Sequence, residues 1–236
     1  SVSLFGNSLY SFKSISANFI DWTKTTESKT SHRDFSTIKF DGGVGYDWMD
    51  FYGYLTLENP HKSYKDESPY NQRYVGFFDW DIALKDNYKI HIQNFYVNSD
   101  TYCVNDFVVG FGYKYQNQNG FWIKPFLGVH ITNDTYFDGY NGYMGGWVFN
   151  YPFKINDNNF SLFQWNEIEF GRVKSFYEDG GVPIGDGKSY GLNGAISLWW
   201  HINNEFRSGI EYRYANHKLG SIEYQSAYVY SLKYNF

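Results

Sequence analysis

Apolar and polar residues alternate along most of this chain, and the alternation is cleanest at its C-terminal end. Over 222–236, Ile222, Tyr224, Ser226, Tyr228, Tyr230, Leu232, Tyr234 and Phe236 share one parity, while Glu223, Gln225, Ala227, Val229, Ser231, Lys233 and Asn235 share the other. Successive side chains of a strand point to opposite faces. The segment therefore predicts a strand with an aromatic face for lipid and a polar face for a lumen, ending on Phe as the closing strand of an outer-membrane barrel does.

The same period recurs between turn residues through the whole length, with no linker or composition break, which predicts a single domain over 1–236. Twelve strands are expected, at 10–22, 33–44, 48–57, 72–84, 88–98, 104–116, 120–132, 139–151, 159–171, 187–201, 204–216 and 222–236. Their connections alternate in length. Short turns at 45–47, 85–87, 116–120 and 203 alternate with longer polar loops at 23–32, 58–71 and 173–187. Outer-membrane barrels show this asymmetry, with short periplasmic turns and long extracellular loops. The segment 152–158 reads as an exception, longer than a tight turn.

Faces can be assigned from the pattern. In the seventh strand Phe121, Ile123, Pro125, Leu127, Val129 and Ile131 face lipid, and Trp122, Lys124, Phe126, Gly128 and His130 face inward. The tenth turns Tyr190, Leu192, Ile196, Leu198 and Trp200 outward and Asn193, Ser197, Trp199 and His201 inward. The eleventh puts Phe206, Ile210, Tyr212 and Tyr214 outside and Glu205, Arg207, Glu211 and Arg213 inside. An Arg at the bilayer midplane costs about 2–4 kcal/mol, so this register is preferred over its slip by one. The fifth and ninth strands are less regular: Phe163, Trp165, Ile168 and Phe170 do not share a parity, which predicts a bulge or bend there.

Composition agrees with a membrane barrel. The 236 residues include 22 Phe, 24 Tyr and 8 Trp, more than a soluble core uses and what two interfacial aromatic girdles would absorb. Mean hydropathy is −0.54, and no run approaches the roughly 18–20 apolar residues of a membrane helix. A barrel escapes such a test because its lipid face is diluted by alternate polar residues, while closure pairs every backbone group. The lone Cys103 excludes an internal disulfide framework. A start at Ser1, without a charged and apolar leader, fits a mature form whose signal peptide has been removed. The net charge of −5 argues against a nucleic-acid partner.

The candidate chemistry lies on the inward parity. It gathers Lys39, Asp41, Asp50, Asp79, Asp81, Asp106, Lys114, Lys124, Glu167, Glu169, Glu205, Arg207, Glu211 and Arg213, and the aromatics Trp48, Tyr52, Phe77, Trp122, Phe126, Tyr140 and Trp199. Mixed charges suit a polar solute that donates and accepts hydrogen bonds. A planar ring stacked on the aromatics gains about 1–3 kcal/mol per base. The pattern points to a nucleoside or similar planar solute, contacted by Lys39, Trp48, Asp50, Tyr52, Asp79, Asp106, Lys124, Phe126, Trp199, Glu205, Arg207, Glu211 and Arg213. Twelve strands fall between packed eight-stranded barrels and wide sixteen-stranded pores, so the passage should be constricted. The scattered histidines show no metal-ligand spacing, and the Gly/Asp-rich 178–187 reads as a flexible turn rather than a Ca²⁺ loop, so no metal or other cofactor is expected.

The motif WMDFYGY at 48–54, preceded by DFSTIKFDGGVGY from Asp34, resembles the second and third strands of Tsx-type nucleoside channels and the related OmpK proteins. GYNGYMGGWVFNYPF at 139–153, NFSLFQWNEIEFG at 159–171 and the terminal YSLKYNF follow the family's order of segments. The resemblance implies a twelve-stranded outer-membrane barrel passing nucleosides and deoxynucleosides down a gradient, with some members serving as phage or colicin receptors. It also implies an inward carboxylate at Asp50 beside Trp48 and Tyr52. Family members often carry acids in the preceding strand, where this chain has Thr37 and Lys39. A monomer in outer-membrane lipid is the expected state. The rival readings are a non-transporting receptor or adhesin barrel, with a plugged lumen, and an outer-membrane enzyme. The enzyme would need a Ser and a His on an outward face, and His32, His61, His91, His130, His201 and His217 fall in loops or on the inward parity.

Overall fold

A computed structural model of the chain describes residues 8–236. Twelve long strands form one antiparallel sheet that closes on itself: β1 Tyr10–Trp22, β2 Phe35–Gly45, β3 Met49–Glu58, β4 Arg73–Ala83, β5 Tyr88–Asn98, β6 Cys103–Tyr113, β7 Trp122–Asp134, β8 Asp138–Ile155, β9 Asn158–Phe170, β10 Tyr190–His201, β11 Phe206–Asn216 and β12 Gln225–Asn235. Each pairs with its neighbours in sequence, β12 pairs with β1, and Tyr115–Gln116 extends β6 along β7. Closure leaves no unpaired edge, which is the condition for crossing hydrocarbon with strands.

Burial is inverted relative to a soluble protein. Asp50, Asp81, His91, His130 and Glu169 are each at most 4 % exposed, whereas Leu55, Phe111, Leu127 and Leu232 are 54–69 % exposed. Such an exterior is stable only against acyl chains.

The face assignments of the seventh, tenth and eleventh strands hold in the cross-strand register, for Phe126 opposes Gly146, Ser197 opposes Glu211, and Trp199 opposes Gly209. Corrections come elsewhere. The segment 152–158 is mostly strand: β8 runs to Ile155 and the turn to β9 is only Asn156 and Asp157, with Asn156 at φ +53°. The ninth strand has no bulge, its register being continuous on both sides from Asn159 to Phe170, and the fifth is likewise unbroken.

Phe163 and Trp165 point inward and Ile168 and Phe170 outward because Gln164 and Asn166 occupy the lipid-facing parity between them. They are held there by Trp147 and Tyr214: Trp147 Nε1 donates to Gln164 Oε1 at 2.5 Å and the Tyr214 hydroxyl to Asn166 Oδ1 at 2.7 Å. Two polar side chains satisfied by aromatic donors mimic a break in the period.

The irregularity lies one strand earlier. Val129 opposes Tyr143 but Ile131 opposes Tyr140, so β8 carries one extra residue. Gly142, at φ +81°, takes up the distortion, and a Cβ there would come within 2.4–2.5 Å of backbone atoms of Phe170 and Gly171. The bulge flips the parity beyond it. Asn141 is fully buried inside, and Tyr140, expected in the lumen, faces out. The closing strand begins at Gln225 rather than 222.

Two long connections fold back on the barrel mouth. The first contains α1 (Lys24–Lys29), capped by Thr23 and tied by Thr26 to Ser226 of β12. Its His32 ring stacks on Trp22 at 4.3 Å, over an inward apolar cluster of Ile20, Trp22, Phe35, Ala227 and Val229. The second contains α2 (Lys174–Tyr177) and a two-residue ribbon pairing Glu178–Asp179 with Val182–Pro183.

Candidate functional site

The interior divides into charges that satisfy one another and charges that do not. On β3 to β7 most of the acids are committed. Asp50 accepts from Lys114 Nζ at 2.9 and 3.0 Å and from the Tyr10 hydroxyl at 2.7 Å. Lys124 Nζ lies 2.5 Å from Asp81 and 3.4 Å from Asp79, and Asp81 also meets His91 Nδ1 at 2.8 Å. Phe126 covers that cluster by stacking on His91 at 4.3 Å. Gln93 joins it to β9 by donating to Glu167 at 2.6 Å.

Nearer the mouth, Asp106 takes the Thr132 hydroxyl at 2.8 Å and stands 3.1 Å from His130 Nε2. Glu169 pairs with Lys218 and with Arg172, whose Nη2 is 2.6 Å away. The Arg172 guanidinium is fully buried. It reaches Asp186 at 3.0 Å and donates to the carbonyls of Lys188, Tyr190 and His217, pinning the long connection after β9 into the mouth. Asp186 is pushed up to about 6 because burial outweighs the attraction of Arg172 and the hydrogen bond from Gly220. Desolvation likewise lowers the Arg172 guanidinium below its ordinary value.

Among the described residues two groups bring metal-ligating atoms within 4.8 Å of one another: Asp79 with Asp81 and His91, and Asp106 with His130 and Glu169. In both, carboxylates already carry a protein cation, Lys124 in the first and Arg172 with Lys218 in the second, which a metal would have to displace. In the second group the Thr132 hydroxyl lies 3.2 Å from His130 Nε2, and both side chains are buried.

The wall formed by β1, β2, β11 and β12 is different. Lys233 pairs with Asp41 at 3.1 Å, supported by Ser14 at 2.7 Å. Among the described residues Lys39, Arg207 and Arg213 have no ion-pair partner within 4.0 Å, and Glu211 accepts only from Ser197, at 3.2 Å. Cations here lie against rings: Lys39 Nζ is 4.1 Å from the Tyr54 centroid, Lys233 Nζ 5.1 Å from Trp199, and the Arg213 guanidinium 5.9 Å from Trp165. Gly209 allows this, for a Cβ there would meet the Trp199 indole at 2.6 Å. Tyr54 stacks on Phe77 at 5.2 Å and 15°, and Tyr52 tilts against both.

Of the residues expected to contact solute, the structure places Lys39, Tyr52, Asp79, Asp106, Lys124, Phe126, Trp199, Arg207, Glu211 and Arg213 on the inward face of strands. Asp50 and Lys124 have most of their bonding capacity taken by Lys114, Tyr10 and Asp81, whereas Asp79 meets Lys124 only at 3.4 Å and its Oδ1 is buried with no partner among the described residues. Trp48 and Glu205 sit in short turns at the periplasmic end and are exposed there. Tyr54 shares the inward parity of Asp50 and Tyr52, and Trp165 that of Glu167, but only the structure shows the cations set over them.

The family model described as "nucleoside-specific channel-forming protein, Tsx" matches residues 17–236. The chain belongs to that family. Among solved structures, "NanC porin structure in rhombohedral crystal form" aligns with a TM-score of 0.54 and 9 % identity, covering 93 % of this chain and 98 % of that one. A Pseudomonas aeruginosa protein, OccK11 (OpdR), aligns over 96 % of this chain and 95 % of its own at 8 % identity and a TM-score of 0.32. The first likeness establishes the shared barrel fold. With the Tsx family assigned and the greasy exterior in view, the protein is a channel of the bacterial outer membrane for small solutes.

Proposed function

We propose that nucleosides cross this Tsx-family channel down their gradient by touching successive weak sites on the β1, β2, β11 and β12 wall and its flanks. Bases lie against the inward rings of Tyr52, Tyr54, Phe77, Trp165 and Trp199, and sugar hydroxyls bond to Lys39, Glu167, Glu211 and Arg213. The observation that carries the reading is the contrast between the two walls. Acids paired as tightly as Asp50 and Asp81 build the barrel, whereas Lys39, Glu211 and Arg213 keep hydrogen-bonding capacity beside aromatic faces. Several shallow contacts also suit throughput, since one deep site would hold the solute.

We read the chain as one domain and as a monomer, a reading supported by a sheet that closes within one chain. On the extracellular face Tyr136, Val182 and Ile222 stand exposed, giving a phage or colicin a place to dock.

Liposome swelling tests the proposal. Vesicles carrying the protein should swell faster in adenosine or thymidine than in sugars of equal size. Equal rates would leave an unselective pore, and an absence of swelling would favour a receptor role.

A further inference from the structure

One row of the inner wall is polar across six strands. Cross-strand pairing sets Lys39 against Ser16, Ser16 against Lys233, Lys233 against Arg207, Arg207 against His201, and His201 against Asn159. Strands of a barrel tilt, so such a row climbs, here from Arg207 near the periplasmic end of β11 to Lys39 midway along β2. Lys233 is neutralised by Asp41. The uncompensated positive charge of the row therefore rests on Lys39 and Arg207. Arg207 Nε is buried, and no acceptor meets it among the described residues.

We propose that this row is an anion track, and that the channel accepts nucleosides carrying a phosphate, the nucleoside monophosphates, in preference to the uncharged nucleosides. The inference rests on the nucleoside reading above and adds the phosphoryl group to it. Rings and cations adjoin along the wall: Tyr54 lies under Lys39, and Trp199 lies under Lys233, next along the row to Arg207. A base on the ring and its phosphate on the neighbouring cation use both at once. A guanidinium with a free Nε–H offers phosphate oxygens a donor in fixed geometry.

Single-channel recordings of the intact protein in planar bilayers, titrated with adenosine, AMP and inorganic phosphate, test this. At about 0.1 M salt AMP should interrupt the current at a concentration at least about fivefold lower than adenosine does, and the advantage should shrink toward 1 M salt as screening shortens the reach of the charges. Inorganic phosphate should compete with AMP. In Lys39→Gln and Arg207→Gln the AMP-to-adenosine preference should fall by about the same factor. Should either variant fail to assemble, the salt dependence of the wild-type preference decides alone. Block by adenosine with none, or weaker block, by AMP would overturn the anion track and leave the nucleoside reading standing. Block by neither would sink both.

Discussion

Lys124 Nζ stands 2.5 Å from Asp81 Oδ2, although two whole strands separate β7 from β4 in the sheet. The contact crosses the lumen side of the wall rather than following it, and with Asp79 and His91 it forms a buried cluster of fixed charge. Removing one partner of such a set leaves the rest desolvated and uncompensated, at a cost of about 3–5 kcal/mol. Lys124→Met should lower the urea midpoint of the barrel in vesicles accordingly. Adding Asp79→Asn and Asp81→Asn should recover most of the loss, and a triple variant as unstable as the single one would contradict this account.

The clasp at the mouth depends on pH in a direction fixed by Asp186. Its folded value is raised from 3.8 to about 6, so the closed connection binds a proton more tightly than the open one. The associated stability is full below about pH 4 and is lost as the pH rises through about 6. Protection of 174–188 from protease should therefore increase on going from pH 7.5 to pH 5. Asp186→Asn should flatten that dependence.

Gly142 carries the bulge that turns Asn141 inward. Placing a side chain there forces a positive φ on an L-residue, about 1–2 kcal/mol, and drives a Cβ into the backbone of Phe170 and Gly171. Gly142→Ala should reduce the fraction of folded barrel seen by heat-modifiability on gels. Gly145→Ala, whose nearest contacts would be at 3.4 Å, serves as the tolerant comparison.

The lipid-facing amides of β9 are tolerable because aromatic donors satisfy them. Tyr214→Phe deletes the hydroxyl bound to Asn166 at 2.7 Å and strands that oxygen beside hydrocarbon, worth about 1–3 kcal/mol. Unfolding in vesicles should report a loss of that size, and Tyr214→Phe combined with Asn166→Leu should largely restore stability.

Ring contacts predict a binding effect separable from folding. Trp199→Ala should weaken nucleoside block of the single-channel current by about 1–3 kcal/mol per stacked base. An unchanged blocking concentration would remove Trp199 from the solute path.

The alternation of residues by itself determined the twelve strands and which face of most strands meets lipid. It could do so because a strand has a period of two and because hydrocarbon and water punish a slip of one residue. Tertiary structure alone decided three things. It placed the bulge at Gly142, where a backbone conformation rather than a side-chain pattern sets the register, and so turned Tyr140 outward. It explained Gln164 and Asn166, whose polarity broke the period although Trp147 and Tyr214, distant in sequence, meet their hydrogen-bonding needs. And it separated the inward charges into paired and unpaired. Asp50 and Glu211 read alike as inward acids, yet Lys114, sixty-four residues on, occupies the first, while among the described residues only Ser197 donates to the second. Which charges cancel depends on distances across a closed barrel, and those exist only after the first strand has met the last.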